Sequence, residues 1–279
     1  MTKLSKCLLL LPLLLATTTT YAETIGCTPI TSLPFEIKRK GLYCFTGNLS
    51  TKGQGAIKIK VSNVTIDLNG WTLDGLAAGP TTKGVGIFAF RRSNITIRNG
   101  IIRGFYQAIN LYEPSPYGVT SGHLIEDVRV ELSTYSGIQV AGANNTIRRN
   151  HVVDTGDAIF SPTSRAFGMQ IYGTGSRVID NDIINTAGTG RDTGYGLVVG
   201  RAQSAFIENN RITEVSSQTG ESFGIYISNS NNALVRSNNL IDMQNGIYYS
   251  NSDNGKNMDN LTTNVDVPFT GGIQTGIND

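Results

Sequence analysis

The 279-residue chain is poor in several things, and each shortage narrows its reading. It has three Cys and two His. Once Cys7 is assigned to an apolar leader, Cys27, Cys44, His123 and His151 show no metal-ligand spacing. Charged residues make up only 16% of the chain, and neither sign dominates. Lys and Arg number 23 against 21 Asp and Glu, and the leader's Lys3 and Lys6 account for the difference. That balance leaves no basic excess that would point to nucleic acid. Cys7–Ala16 is too short for a good membrane span, and no later stretch competes with it. Pro is scarce (8) and Gly abundant (32), so disorder is not the expected state. No amphipathic helical window of useful length is present.

The opening "MTKLSKCLLLLPLLLATTTTYAET" puts two lysines before the apolar run and small residues after it. It has the form of a secretory signal peptide, residues 1–22, cut after Ala22. The protein is then exported, either secreted or periplasmic. In an oxidising compartment, a Cys27–Cys44 disulfide is the simplest outcome. Residues 23–55 are expected to cap one end of the domain.

What the chain has in plenty is repetition. A phrase with alternating apolar residues starts at Gly86, Ala108, Gly137, Gly168, Gly196, Gly224 and Gly246, about 22 to 31 residues apart. A second phrase falls between the first: "VTIDLNG", "ITIRNG", "LIEDVRV", "TIRRNHV", "VIDNDII", "FIENNRI" and "LVRSNNL". A short third strand follows the Asn-rich step. These are strand patterns. Repeats that vary in length while their strands do not imply stacked coils, with insertions expelled into turns.

The order of the phrases resembles the right-handed parallel β-helix, or pectin-lyase-like, superfamily. Gly41–Gly75, "GLYCFTGNLSTKGQGAIKIKVSNVTIDLNGWTLDG", is similar to the start of secreted and periplasmic "right-handed β-helix region" proteins. The resemblance covers Gly41 to Gly255. It implies an all-β fold, a right-handed parallel β-helix of about seven or eight coils over residues 56–255. Residues 256–279 lose the pattern and are expected to fold over the last coil or fray. The resemblance does not imply an activity, since the superfamily holds lyases, hydrolases, epimerases and proteins without a known reaction.

Stacked coils turn equivalent positions into columns. In the second phrase the inward residues are Ile66, Ile97, Ile125, Ile147, Ile179, Ile207 and Val235. Their outward neighbours are Asp67, Arg98, Glu126, Arg148, Asp180, Glu208 and Arg236, mostly of alternating sign, which fixes register. Three residues past the inward position come Asn69, Gly100, Val128, Asn150, Asp182, Asn210 and Asn238, a turn column suited to positive φ and to an amide ladder.

The first phrase presents an uncharged outer face of amides and rings: Phe88, Asn110, Gln139, Gln170, Val198, Tyr226 and Tyr248, with Phe90, Tyr112 and Tyr172 two positions on. Amides suit sugar hydroxyls and rings suit apolar sugar faces, so this face is the expected glycan-binding surface, with Arg201 on one wall. The alternative is a ladder that only stabilises an exposed sheet. Phe167, Tyr195 and Phe223 precede repeat glycines and are expected to stack as packing. The turn Tyr112–Gly122 could close one end of the groove.

Loops entering this face supply the candidate catalytic residues Asp154, Asp157, Arg165, Arg191 and Asp192. "DTGDAI" resembles part of the polygalacturonase motif at Asp157 and Ile159. Gly156 replaces its first Asp, and the family's Gly-His-Gly and Arg-x-Lys elements are absent. Lyases of this fold often use an Arg or Lys base and calcium. That resemblance implies Asp154, Asp157 and Asp192 as calcium ligands, with Arg165 or Arg191 facing a uronate. His123 and His151 are expected at the surface.

The resulting expectation is an exported, monomeric carbohydrate-active protein. It would bind a polysaccharide, one that could contain uronic acid, with lyase or epimerase chemistry ahead of hydrolysis. The rival is a non-catalytic adhesin, scaffold or periplasmic accessory protein. A copper role is disfavoured by the lack of a Met/His/Cys cluster.

Overall fold

The computed structural model describes residues 26–53, 55–156, 165–188, 193–217 and 220–279. Its strands form one ladder of 26, and every strand pairing is parallel to the coil before or after it. Three walls result. Wall A carries the first phrase, wall B the second, and wall C the strand that follows the Asn step.

In wall A, Ile57, Ile87, Ile109, Ile138, Met169, Leu197, Ile225 and Ile247 stand in one register. None is more than 2% exposed. Each such side chain contributes about 1.5–3 kcal/mol by leaving water, and only the neighbouring coil can cover it. The columns expected for this wall are therefore the ones found.

Wall B corrects the reading by one residue in a single coil. The inward residue is Val178, not Ile179. Ile147 pairs with Val178, Val178 with Ile207, and Ile207 with Val235. Ile179 points outward between Arg148 and Glu208, and Asp180 lies in the turn at φ 56°. Two adjacent β-branched residues fit the column equally well, so hydrophobicity could not choose between them. The amide ladder does. Asn150 donates to Asn181, Asn181 to Asn210, Asn210 to Asn238 and Asn238 to Asn260, at 2.9–3.0 Å. Asn181, not Asp182, fills the ladder, because an amide both donates and accepts whereas a carboxylate only accepts. The left-handed residue of each turn is the one before the ladder: Arg149, Asp180, Asn209, Ser237 and Asp259. Outside, Asp67 accepts from Arg98 at 2.9 Å and Glu126 from Arg148 at 2.7 Å, and Glu208 pairs with Arg236.

Both ends carry the ladder onward. Thr28–Ile30 pairs with Gly41–Phe45, and Cys27 is bonded to Cys44 with Cα atoms 5.8 Å apart. Lys256–Met258, Leu261–Thr270 and Ile273–Gln274 also pair in parallel, although the repeat phrase is no longer legible there. In this last rung Val265 and Phe269 occupy inward positions yet are only half-buried.

His123 is a second correction. It is 2% exposed, its Nδ1 accepts from the Ile95 amide, and its own amide donates to Asn145. His151 is half-buried beside Asp182, 3.5 Å away.

Candidate functional site

The outer face of wall A holds the expected column in register: Phe88, Asn110, Gln139, Gln170, Val198, Tyr226 and Tyr248. Its amides are largely bonded to one another. Gln107 donates to Gln139 at 2.6 Å and Asn110 to Gln107 at 2.8 Å. Gln170 donates to Ser136, and its Oε1 accepts from the Tyr172 hydroxyl at 3.0 Å. Asn110 is 8% and Gln170 4% exposed. They fix the floor, and of their side-chain polar atoms the buried Asn110 Oδ1 has no hydrogen-bond partner among the described residues.

The rings form two stacks. Phe167, Tyr195 and Phe223 lie face to face at 5.1 and 5.5 Å, as their spacing led one to expect. Tyr226 and Tyr248 stack at 5.5 Å and meet Phe223 edge-on. Rings stacked along a column occupy each other's faces, so a sugar finds a free face only where a stack is interrupted.

The interruption lies in the strand Gly194–Gly200 after Tyr195, which continues the first stack and meets Tyr226 edge-on at 5.3 Å. Its outward residues are Val198 and Gly200, flanked by Gln170 and Tyr172 in one neighbouring coil and by Tyr226 and Ser228 in the other. A cleft of about 430 Å³ opens there, lined among others by Tyr117, Tyr172, Tyr195, Gly200 and Tyr226. Arg165 stands on one rim and Arg201 on the other, both exposed. No described residue lining the cleft is acidic.

The turn Tyr112–Gly122 forms one side. Its shape is set by Glu113, buried at 1% exposure, which accepts from the amides of Gly118, Val119 and Thr120 and from the Thr120 hydroxyl. Burial opposes the Glu113 charge, but these donors outweigh it and hold the carboxyl below its ordinary range. The turn places Tyr117 on Tyr172, centroids 5.1 Å apart, and Ser115 on the Arg201 guanidinium. Arg201 also lies over the Tyr117 ring at 5.9 Å. Burial pushes the Tyr172 hydroxyl up to about 12, so it stays protonated and serves as a donor.

The candidate catalytic set does not assemble among the described residues. Asp157, Arg191 and Asp192 lie outside them. Arg165 faces the aromatic cleft, whereas Asp154 lines a different one, beside Leu132, Thr134 and Asn185. Asp154 sits in the strand His151–Gly156 rather than a loop, at φ 54°. It shares that left-handed position with Leu132, Asn185, Glu214, Asp242 and Asn264, coil after coil. Its carboxylate accepts from Asn185 at 2.7 Å. Backbone conformation and this bond account for the Asp. Among the described residues no group of three or more His, Cys, Asp or Glu side chains could hold a metal.

Of the remaining predicted binders, Tyr112 stacks on Phe90 at 5.8 Å and Phe88 lines a separate apolar cleft, both towards the N-terminal end. Sequence reasoning missed Tyr117 and the gap at Val198 and Gly200, and it read Phe167 and Tyr195 as packing alone. The signal for the gap was present, since two small residues interrupt columns of rings and amides.

Several solved structures are similar in fold. The A-module of the mannuronan C-5 epimerase AlgE4 from Azotobacter vinelandii is 13% identical, with 90% of this chain and 86% of that one covered and a TM-score of 0.44. The enzymatically active domain of tailspike protein 2 from bacteriophage CBA120 is 13% identical, with 81% and 38% covered and a TM-score of 0.41. PfbA, a surface adhesin of Streptococcus pneumoniae, is 11% identical, with 82% and 85% covered and a TM-score of 0.33. At these identities the likeness concerns the winding of the chain and not the cleft. No curated protein matches the sequence significantly. Residues 36–262 match the family model described as the right handed beta helix region. With a parallel ladder through the described residues of that span, the chain belongs to the right-handed β-helix family.

Proposed function

We propose that the protein is an exported glycan-binding β-helix whose cleft between Tyr172 and Tyr226 takes a sugar unit of an acidic polysaccharide. One observation carries this reading. Where the ladder of outward side chains lapses, at Val198 and Gly200, a ring-walled slot opens with an arginine on each rim and no acidic residue in its described lining. Tyr172 leans over Gly200 and Tyr195 meets Tyr226 edge-on at 5.3 Å, so these rings wall the cleft that the sugar ring would enter. A guanidinium offers a carboxylate or sulfate a planar pair of donors. The volume falls in the range of small-molecule sites.

Binding rather than bond cleavage is what the described residues support. Hydrolysis of a glycosidic bond uses two carboxylates about 5–10 Å apart, and the described lining has none. Lyase or epimerase chemistry at the sugar C5 needs a base. Tyr172 keeps its proton and the described lining has no carboxylate, so Asp157 or Asp192 would have to supply one, with calcium as an aid only if the two approach each other. The ultraviolet absorbance of unsaturated uronates, followed with and without calcium, reports that chemistry directly.

The binding test is affinity electrophoresis through gels containing a polyuronate, a sulfated glycan or a neutral glucan. Retention is expected in the acidic gels, with loss in Arg165→Ala. Equal retention in the neutral gel, or full retention in Arg165→Ala, overturns the reading and leaves a scaffold or adhesin role without glycan.

A further inference from the structure

The two ends of the solenoid differ in charge and in cover. Among the described residues up to Lys60, the N-terminal end carries Lys38, Arg39, Lys40, Lys52, Lys58 and Lys60 against the single acid Glu36, and all but the half-buried Lys60 are exposed. The C-terminal end carries Asp242, Asp253, Asp259, Asp266 and Asp279 against Lys256, all exposed. The near neutrality of the whole chain conceals a polarity along its axis.

The same ends present strands with one neighbour. Among the described residues, Phe35–Ile37 pairs only with Gly55–Ile59, and Leu49–Ser50 only with Thr72–Asp74. At the far end Leu261–Thr270 pairs only with Asn239–Ser250, and Ile273–Gln274 only with Lys256–Met258. Asp279 covers the start of the Leu261–Thr270 edge by accepting from the Thr262 amide, and unpaired N–H and C=O groups on the rest of a strand edge are a template for another strand. Apolar side chains accompany them. Val267, Ile273 and Ile277 are exposed at 43%, 50% and 73%. Phe269 ends the inward column of wall A, and Phe35 begins it. Both are half-buried, and among the described residues each has a coil on one side only.

We infer that the protein associates head to tail with a second copy of itself, the acidic C-terminal rung of one molecule docking on the basic N-terminal rung of the next. Phe269 then meets Phe35 of the next molecule in a continuing column, and the parallel ladder runs on across the junction. A tail-to-tail dimer would instead bring Asp259 and Asp266 against their own copies, which like-charge repulsion opposes. A head-to-tail contact uses two different surfaces, so it does not close on itself and yields open chains. Such chains would line up successive clefts along one polymeric ligand, although the contact itself does not depend on glycan binding.

Sedimentation velocity over a range of concentrations, at about 0.02 M and about 0.5 M salt, tests this, because exposed charges are screened over a few ångströms at the higher value. Mass is expected to grow past the dimer with concentration, and association to weaken about tenfold or more in high salt. The head variant Lys38→Glu/Lys40→Glu and the tail variant Asp259→Lys/Asp266→Lys, all at exposed positions, should each be monomeric with unchanged circular dichroism. Mixing the two should restore assembly. Two results overturn the inference: a monomer under every condition, or a dimer that grows no further and survives the head variant.

Discussion

The ring of Tyr172 lies against the backbone of Gly200, so closely that a Cβ added there would meet its Cε1 at 2.7 Å. Tyr117 stacks on that ring and Gln170 holds its hydroxyl, so it has little freedom to retreat. Gly200→Ala is expected to leave the fold intact and to displace the ring into the cleft. Affinity for an acidic glycan should fall by about 1 kcal/mol, roughly fivefold, by titration calorimetry. Unchanged affinity would separate the Tyr172–Gly200 contact from binding.

Val198→Tyr should act in opposite directions on stability and binding. Position 198 precedes Tyr226 and Tyr248 in one column, so a third ring extends that stack. Cross-strand aromatic pairs contribute about 0.2–1 kcal/mol, and the melting temperature should rise slightly. The same ring fills the slot, and retention in an acidic gel should disappear.

The amide ladder is expected to be costly to break. Asn181 accepts from the amide and side chain of Asn150 and donates to the Ile147 carbonyl and to Asn210. Asn181→Leu leaves several of these buried groups without partners, at about 1–3 kcal/mol each. Asn278→Leu, at the half-buried end of the ladder, should cost far less. Urea denaturation of the two variants makes the comparison.

His123 gives the fold a pH dependence. Burial pushes it down to about 4, against the opposing pull of the Glu113 charge. The unfolded chain takes up a proton below about 6.5, whereas the folded chain does so only near the lower value. Stability is therefore fully present above about 6.5 and falls as pH drops towards 4, by up to about 3 kcal/mol. Denaturation midpoints at several pH values should trace this slope, and His123→Gln should flatten it.

Reduction of Cys27–Cys44 should loosen the N-terminal end. The bond spans 17 residues of sequence, and closing a loop of that size stabilises by about 3 kcal/mol. Urea denaturation of the oxidised protein and of Cys27→Ser/Cys44→Ser should differ by about that amount.

Columns of like residues were readable in the sequence because coils stack in register. Ile109, Ile138 and Met169 could be aligned by eye, and so could the charge pairs beginning with Asp67 and Arg98. Register failed at Val178 and Ile179, where two neighbours suited the core equally well and only the hydrogen-bonding needs of Asn181 decided. The cleft was half legible. Tyr172, Tyr226, Arg165 and Arg201 were named from pattern, but pattern attends to residues that are present, and the cleft exists where Val198 and Gly200 are small. Tyr117 was not foreseeable from columns, since it lies in a turn that belongs to none of them. Asp154 attracted attention as a carboxylate, although its place in the left-handed column is a matter of backbone geometry.

The turn that carries Tyr117 has one more implication. Most bonds in this molecule join a residue to the coil beside it, yet Arg201 reaches Ser115 across 86 positions of sequence. A solenoid can gain or lose a whole coil with little harm to its neighbours. Between Tyr112 and Arg201 that freedom is gone, because one added coil would carry the guanidinium away from the turn that meets it. Lineages of this protein should therefore vary in length outside that interval and keep the number of coils constant within it.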